Sequence, residues 1–575
     1  MPALYFNFNT RENDFTIPPE AVLPRTYLQH FEKILSNPAS TWAMHNAKFD
    51  LAMLSREGLR LAGQVHDTEV IARVLDSSHQ SYSLENCLKR LAKETGSDLY
   101  EKDDRVKAWI TKNKAYTETS VPGKKGKQRN LQFYKVPFEI IVPYAEMDAI
   151  ATLRLAEHQC KRINATKDYR RVARQERSLT PVCFRMEEFG IKIDRSYTEA
   201  ALSFEKAAID KLNEDFEQQT GKRFLDSNLY LSAVFSELGY EAKKTAKGNA
   251  SFDDAALAEI DHPLAKTVCK IRESYKKCST YYSTFLYMAD KTDRIHPNMK
   301  QGGTTTGRFS YWEPNLQNVP KEENLEEPWL VRRCFVPDKG KCFVMLDFDQ
   351  MEYRMMLDQA EESKVIHRIL NLGEDVHEAT AQMLGITRKQ AKTVNFMLLY
   401  GGGVEKLAKS LAITVPEAAK IRESYFYHLP NVSKWIKATI AISRVNGYVE
   451  NWNSRKCPIE KDFAYKAPNW LIQGGCADVV KRAMLQIDTL LSDKKSKMIL
   501  QVHDELLFEM PPDEFYLIND LKKIMESQYP YKKLPLTVST DHSWKSWADK
   551  VKGSPSEETR NAVQGKDSSQ AQGPA

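Results

Sequence analysis

Apolar and polar positions divide the chain into four stretches. Residues 1–165 mix short apolar runs of strand character with amphipathic helical patterns, interrupted at 111–130 by TKNKAYTETSVPGKKGKQRN, a polar, lysine-rich segment that predicts a long, mobile surface loop. From about 176 to 290 the periodicity turns helical, as in YTEAALSFEKAAIDKLNEDFEQQ. Residues 291–552 alternate apolar strand-like runs (KCFVMLDF, KMILQV, ELLFEM) with helices. The last stretch, 553–575, has no aromatic residue and one large aliphatic one, and is expected to be disordered. No repeat at a 20 to 50 residue period is present, which excludes solenoids and propellers.

Two of the apolar runs end in carboxylates. KCFVMLDFDQMEYR places Asp347 at a strand end before a helix start, and KMILQVHDELLFEM reads as two strands joined by a polar apex of His503, Asp504 and Glu505. Taken singly, either aspartate could simply cap a surface turn. Brought together, strand-end carboxylates suit magnesium, which prefers hard oxygen ligands and shares its coordination shell with phosphates. Two such ions about 4 Å apart can activate an attacking oxygen and stabilise a leaving one.

A helix is marked at both ends in TRKQAKTVNFMLLYGGG: Thr387 and Gln390 have capping-box spacing, and Gly401 to Gly403 close it. Arg388, Lys392, Phe396 and Tyr400 recur at every fourth residue and share a face. They span roughly 18 Å at 1.5 Å per residue, enough for two cations to meet a triphosphate while the rings approach sugar and base. A solvated basic end with a core aromatic stripe is the plainer alternative for this segment alone.

Composition narrows the class. At 575 residues the chain predicts two or more domains. With 42% hydrophobic and 28% charged residues and no apolar run of membrane-spanning length, it reads as an ordinary soluble protein. The first twenty residues lack a basic start and an apolar segment, so a cytoplasmic location is expected. Nine cysteines without a CxxC pair predict reduced, mostly buried thiols and no zinc site. The net charge of +6 allows a polyanionic partner without demanding one.

DFDQMEYR, RKQAKTVNFMLLYG and QVHDE resemble, in order and spacing, motifs A, B and C of family A DNA polymerases, the bacterial DNA polymerase I type. TTTGRFSYWEPNLQNVP (304–320), DVHEATAQMLG (375–385), GYVE (447–450) and NWLIQGGCADVVKRAM (469–484) extend the resemblance over about 176–552. It implies α/β and α+β folds: an RNase H-like exonuclease domain followed by a right-hand polymerase. The corresponding division is 1–165 exonuclease-like, 176–290 thumb, 291–362 first part of the palm, 363–445 fingers, 446–552 second part of the palm, and 553–575 a tail.

By the same resemblance Asp347 and Asp504, with the carbonyl of Phe348, bind two magnesium ions, for which manganese can substitute. His377, Arg388 and Lys392 hold the triphosphate of a dNTP, Lys392 protonating the leaving pyrophosphate. Gln350 also contacts the nucleotide. Glu352 and Phe396 bracket the sugar, Glu352 excluding a ribose 2′ hydroxyl, and Tyr400 closes the templating side. Phe396, in place of tyrosine, implies discrimination against dideoxynucleotides. Arg308, Gln317, Asn318, Asn469, Gln473 and His503 read the minor groove of primer-template DNA, where acceptors are nearly sequence-independent. Asp349, Met397 and Tyr465 depart from the serine, glycine and arginine usual in the family. The 176–290 stretch lacks an insertion of the kind some phage relatives use to recruit thioredoxin, so no such processivity partner is expected, and a monomer is.

HNAKFDLAML and PYAEMDAIATLRL resemble the second and third motifs of proofreading exonucleases, through Asn46 and Asp50 and through Tyr144 and Asp148. Tyr144 and Asp148 lie one helical turn apart, so the tyrosine can orient a water beside a metal-holding carboxylate. The first motif, a strand bearing Asp-x-Glu, is expected before ALYFNFNT, and weak or absent 3′ to 5′ proofreading follows for the chain as written. A compact exonuclease plus polymerase, without an apparent flap nuclease, leans toward a bacteriophage replicative enzyme working in a bacterial host's cytoplasm. The rival classes are an exonuclease whose carboxyl-terminal unit only grips DNA, and a non-catalytic DNA-binding protein. The set Asp347, Lys392 and Asp504 argues against both.

Overall fold

The computed structural model describes residues 25–96, 104–124, 126–244, 248–321 and 325–556. ALYFNFNT lies outside these residues, as does the expected tail from residue 557 onward.

In the first unit, Thr41–Met44 (β1) is followed by a helix, Ala47–Arg56 (α1), and pairs in parallel with Gln64–Asp67 (β2), Met44 facing Asp67. The next helix, Thr68–Leu75 (α2), starts at once because the Asp67 carboxylate accepts the amides of Glu69 and Val70. The segment 111–130 corrects the loop reading: after a helix ending at Lys112, Tyr116–Ser120 (β3) and Lys127–Leu131 (β4) form an antiparallel hairpin. Both strands are almost wholly exposed, so no apolar alternation betrays them. They pair through the backbone ladder and a cross-strand contact between Glu118 and Arg129 (3.0 Å). Two long helices follow, Phe138–Ala165 (α3) and Lys167–Phe189 (α4). The helix expected over 197–219 is Arg195–Thr220 (α5), begun by the Asp194 cap and ended by Gly221 at φ +65°.

The rest of the chain is organised by a central strand, Cys342–Phe348 (β5). Its residues 342–346 are at most 1% exposed, so both faces are covered and the strand reads as a continuous apolar run. Helices Met351–Ala360 (α6), Val376–Leu384 (α7) and Arg388–Leu399 (α8) come next, and the 24-residue Ala467–Leu490 (α9) returns the chain to the sheet. Lys497–Val502 (β6), Glu505–Met510 (β7), Val538–Ser543 (β8) and Val551–Lys552 (β9) complete an antiparallel sheet in the order β6-β7-β5-β8-β9. Here the apex reading needs correction: Glu505 belongs to β7, opposite Asp347 on one side and Val502 on the other. The turn is His503-Asp504, with His503 at φ +58°.

A buried ion network ties α4 to α9. Glu176 receives the Lys481 ammonium at 2.6 Å and the Arg455 guanidinium, and Arg455 also meets Asp478 at 2.6 Å. All four residues are at most 5% exposed. Gly307 packs on the same arginine: a Cβ there would lie 2.8 Å from its side chain. No helix among the described residues is long and apolar enough to cross a membrane, and all nine cysteines are free.

Candidate active site

The sheet brings its two strand-end aspartates together. Asp347 ends β5 and Asp504 sits in the turn beside it, where the Phe348 amide donates to the Asp504 carbonyl at 3.4 Å. Burial pushes the Asp347 carboxyl well above the ordinary carboxylate range, and the neighbouring Asp504 and Glu505 push it further. Burial also raises Asp504. Asp347 Oδ1 is buried without a hydrogen-bond partner, whereas Glu505 accepts from the Trp547 indole (3.3 Å) and the Lys550 ammonium (2.5 Å). An unsatisfied buried carboxylate beside a second one is the donor set a divalent cation suits. No group of three or more metal-ligating side chains converges among the described residues. Two carboxylates and a backbone carbonyl would therefore leave coordination positions open to oxygens from outside the protein.

Above the pair lies a cavity of about 360 Å³, inside the usual range of ~300–1,000 Å³ for small-molecule sites. Arg308, Gln317, Gln350 and Glu352 line it, together with Phe396, Tyr400, His503 and Asp504. Glu352 is clamped from two directions, by the Arg308 guanidinium and by the Tyr400 hydroxyl, which donates to it at 2.7 Å. Phe396 stands between Tyr400 and His377, with ring centroids 5.9 and 5.7 Å apart.

The α8 face is built as its ends predict. Thr387 and Gln390 form both arms of the capping box, and the helix stops at Gly401, where φ is +70° and a Cβ would lie 2.9 Å from the Tyr465 carbonyl. Lys392 is exposed. Arg388 is held by both oxygens of Asp375 at 3.0 Å, and Gln350 donates to the same carboxylate. His377, the third residue of the triphosphate set, lies on α7. It is 2% exposed, Asn395 donates to its Nδ1 at 2.9 Å, and burial lowers its pKa to about 4, so it is a neutral ring able to donate only from Nε2.

The minor-groove set is less compact. Gln317 donates to Gln501 at 3.1 Å, and Gln501 donates to the His503 carbonyl at 2.5 Å. Asn318 is exposed; Asn469 and Gln473 are half-buried on α9, outside the cavity lining, and Asn469 Oδ1 is buried without a partner.

The amino-terminal candidates form a second cluster. Asn46 is exposed, at φ +64°, and uses its backbone: its amide and that of Ala47 donate to Asp67 at 3.1 and 2.8 Å. Asp50 is pushed up to about 6 by burial and by Asp67. Burial raises Asp148, and a hydrogen bond from Tyr144 opposes that shift. Sequence reasoning counted two carboxylates here and missed Asp67, the third. Its oxygens are already taken by the amides of Asn46, Ala47, Glu69 and Val70.

The sequence pattern described as DNA polymerase family A matches residues 196–549. The chain belongs to DNA polymerase family A. A second pattern, described as 3′-5′ exonuclease, matches residues 3–163, so ALYFNFNT lies within the matched stretch. Family A relatives include DNA polymerase I of Chloroflexus aurantiacus, 30% identical over 538 residues, covering 88% of this chain and 54% of the relative. The thermostable DNA polymerase I of Thermus thermophilus is 34% identical over 390 residues, 63% of this chain and 46% of that one. The chain spans about half the length of the curated relatives it matches. Among solved structures, the POL domain of Pol1 from M. smegmatis in complex with DNA primer-template and dNTP superposes with a TM-score of 0.77 at 25% identity, covering 93% of this chain and 89% of that one. These named relatives are bacterial and lend the bacteriophage reading no support.

Within this family A site, the residues that sequence reasoning missed are partners. Asp375 was legible as the helix cap in DVHEATA, and it is one, through the His377 and Glu378 amides. Nothing local announced that it also anchors Arg388. Gln501, inside QVHDE, was passed over because its partner, Gln317, stands 184 positions away. Of the departures, Met397 packs where a Cβ on Gly402 would reach its side chain, and Tyr465 is 46% exposed beside Gly401.

Proposed function

We propose that this chain is a DNA-templated DNA polymerase that transfers nucleotides from dNTPs to the 3′ hydroxyl of a primer. The observation that carries the reading is the convergence of Asp347 and Asp504, one oxygen of the pair unsatisfied, beneath a cavity walled by α8. The thumb, palm and fingers assigned to 176–290, 291–362 with 446–552, and 363–445 accommodate it: the sheet is the palm and α8 belongs to the fingers.

Asp347 and Asp504, with the Phe348 carbonyl, would hold magnesium; when bound, the ions supply charge neutralisation at the phosphoryl group and lower the pKa of the attacking hydroxyl. Arg388 and Lys392, at the open end of the α8 face, bind the triphosphate; Arg388 does so by exchanging Asp375 for phosphate oxygens. His377 contributes a neutral hydrogen bond. Lys392 is the one ammonium on this face of α8 and supplies the proton for the departing pyrophosphate. Phe396 and Glu352 enclose the sugar, Glu352 standing where a 2′ hydroxyl would come, and Gln350 adds a polar contact. The base takes the place of the Tyr400–Glu352 contact. Arg308, Gln317, Asn318, Asn469, Gln473 and His503 face the primer-template end. Work is done by positioning and electrostatics rather than by a covalent intermediate. A monomer in the cytoplasm suffices for this activity.

Proofreading is weak in this reading. Asp67 is occupied by backbone amides and so adds no open carboxylate to Asp50 and Asp148. A primer-extension assay with each dNTP, run beside Asp504→Ala, tests the polymerase reading: extension by the wild type and none by the variant is expected. Extension by both, or by neither, overturns it.

A further inference from the structure

The hairpin β3–β4 remains outside the chemistry described so far. Residues 111–135 carry seven lysines and arginines against one glutamate, a net +6, equal to the formal charge of the whole chain. The rest of the chain therefore carries no formal net charge, and this segment is a local basic excess.

The hairpin is seated at both ends. Its tip rests on the helical region after α5: the Thr284 hydroxyl donates to the Pro122 carbonyl at 3.4 Å, and a Cβ on Gly123 would lie 3.1 Å from the Ser279 carbonyl. Lys124 pairs with Glu313, five residues before Asn318. Its base belongs to the small core of Val106, Ile110, Ala115 and Val136, against which Tyr144 packs. One end thus meets the strand that leads to Gln317 and Asn318, and the other meets the residue that hydrogen-bonds Asp148. Five-residue strands at ~3.4 Å per residue give roughly 17 Å between these ends.

Along that length the side chains are those a single strand of nucleic acid uses. Lys127 and Arg129 are 63% and 57% exposed, and Phe133 and Tyr134, just beyond β4, are 41% and 47% exposed. Cations for the phosphates next to exposed rings for unpaired bases form a stacking platform. Glu118, the one acidic residue of the segment, faces Arg129 at 3.0 Å and Lys127 at 4.0 Å in solvent, where such pairs are weak and a phosphate competes well.

We propose that this hairpin binds the single-stranded 3′ end of a primer that has left its template, guiding it along β4 from the Gln317–Asn318 end toward Tyr144 and Asp148. The proposal rests on the polymerase reading for the identity of the strand, and it requires binding only, not cleavage.

The test measures affinity by fluorescence anisotropy for two primer-templates, one fully paired and one with four unpaired nucleotides at the primer 3′ end. The full chain is compared with the triple variant Lys127→Gln, Arg129→Gln, Lys135→Gln, and with Phe133→Ala, Tyr134→Ala. The charge variant is expected to lose about tenfold or more on the frayed substrate and less than about twofold on the paired one. Its salt slope on the frayed substrate should fall by about two, at ~0.7 for each phosphate no longer neutralised. The ring variant should weaken the frayed complex at an unchanged salt slope. Equal losses on both substrates, or no loss on either, overturn the proposal. Extension of the paired primer is followed in parallel: if the wild type does not extend, the polymerase reading falls, while the binding result still stands or falls by itself.

Discussion

Asp347, half-buried with one carboxylate oxygen buried, and Asp67, fully buried, both stand near the end of a strand, antiparallel in one case and parallel in the other, each with another aspartate near it, and they are opposite in kind. Asp67 commits its oxygens to four backbone amides and starts a helix. Asp347 has an oxygen with no partner and two neighbouring carboxylates, Asp504 and Glu505. Burial raises the first carboxyl, and its backbone amides offset part of that cost; the second has no such offset until something positive arrives. The hydrogen bonds, rather than the depth of burial, separate a carboxylate that holds the fold from one that waits for a ligand.

The largest expected effect sharpens that contrast directly. Asp347→Asn should lower primer extension by about 10²- to 10³-fold, the scale of removing one electrostatic interaction with the transition state, while the melting temperature of metal-free protein holds or rises. A fall in melting temperature together with intact extension would put Asp347 in the structural class. Asp67→Ala should do the reverse: the loss of a cap, ~0.5–2 kcal/mol, plus amides left unpaired, at ~1–3 kcal/mol, appears in thermal denaturation with extension per folded molecule unchanged.

Acid separates the same two regions. His66 donates from Nε2 to Gln159 (2.9 Å) and accepts from Arg177 at Nδ1 (2.6 Å), so burial holds it neutral with a pKa lowered to about 4. The unfolded chain binds this proton from pH 6.5 downward, so stability is full above 6.5 and is lost as pH falls toward 4. Two and a half units at ~1.4 kcal/mol each set a ceiling of about 3.5 kcal/mol. Urea denaturation from pH 7 to 4.5 should show this loss in the amino-terminal unit, and His66→Gln should flatten it.

The smallest effect concerns Arg388. Asp375→Asn keeps a competent helix cap and removes the charge that engages the guanidinium, so the KM for dNTP should fall by about two- to fivefold, matching an exposed pair worth ~0.2–1 kcal/mol. An unchanged or higher KM would mean that Asp375 orients Arg388 rather than competing for it.

Much of the polymerase site could be read from the chain because its determinants are local. An apolar run ending in aspartate marks β5 and Asp347, and the Thr387–Gln390 box and Gly401 bound α8, both ends forming as the spacing requires. Partnerships across distance could not be read that way. Asp375 with Arg388, Gln317 with Gln501 and Asn395 with His377 depend on folding. The hairpin was missed for a different reason: strands exposed on both faces carry no hydrophobic period, so their pairing is invisible to a pattern built on burial.

The network around Glu176 sets where the chain can be shortened. The family A match begins at residue 196, which invites a fragment cut there, yet Glu176 is the counter-charge for Arg455 and Lys481 inside the remaining body. Such a fragment would leave Lys481 without its counter-charge and Arg455 with Asp478 alone, a defect on the scale of a broken buried pair, ~3–5 kcal/mol. A minimal family A core must keep the whole helix from Lys167 to Phe189, even if everything before it is discarded.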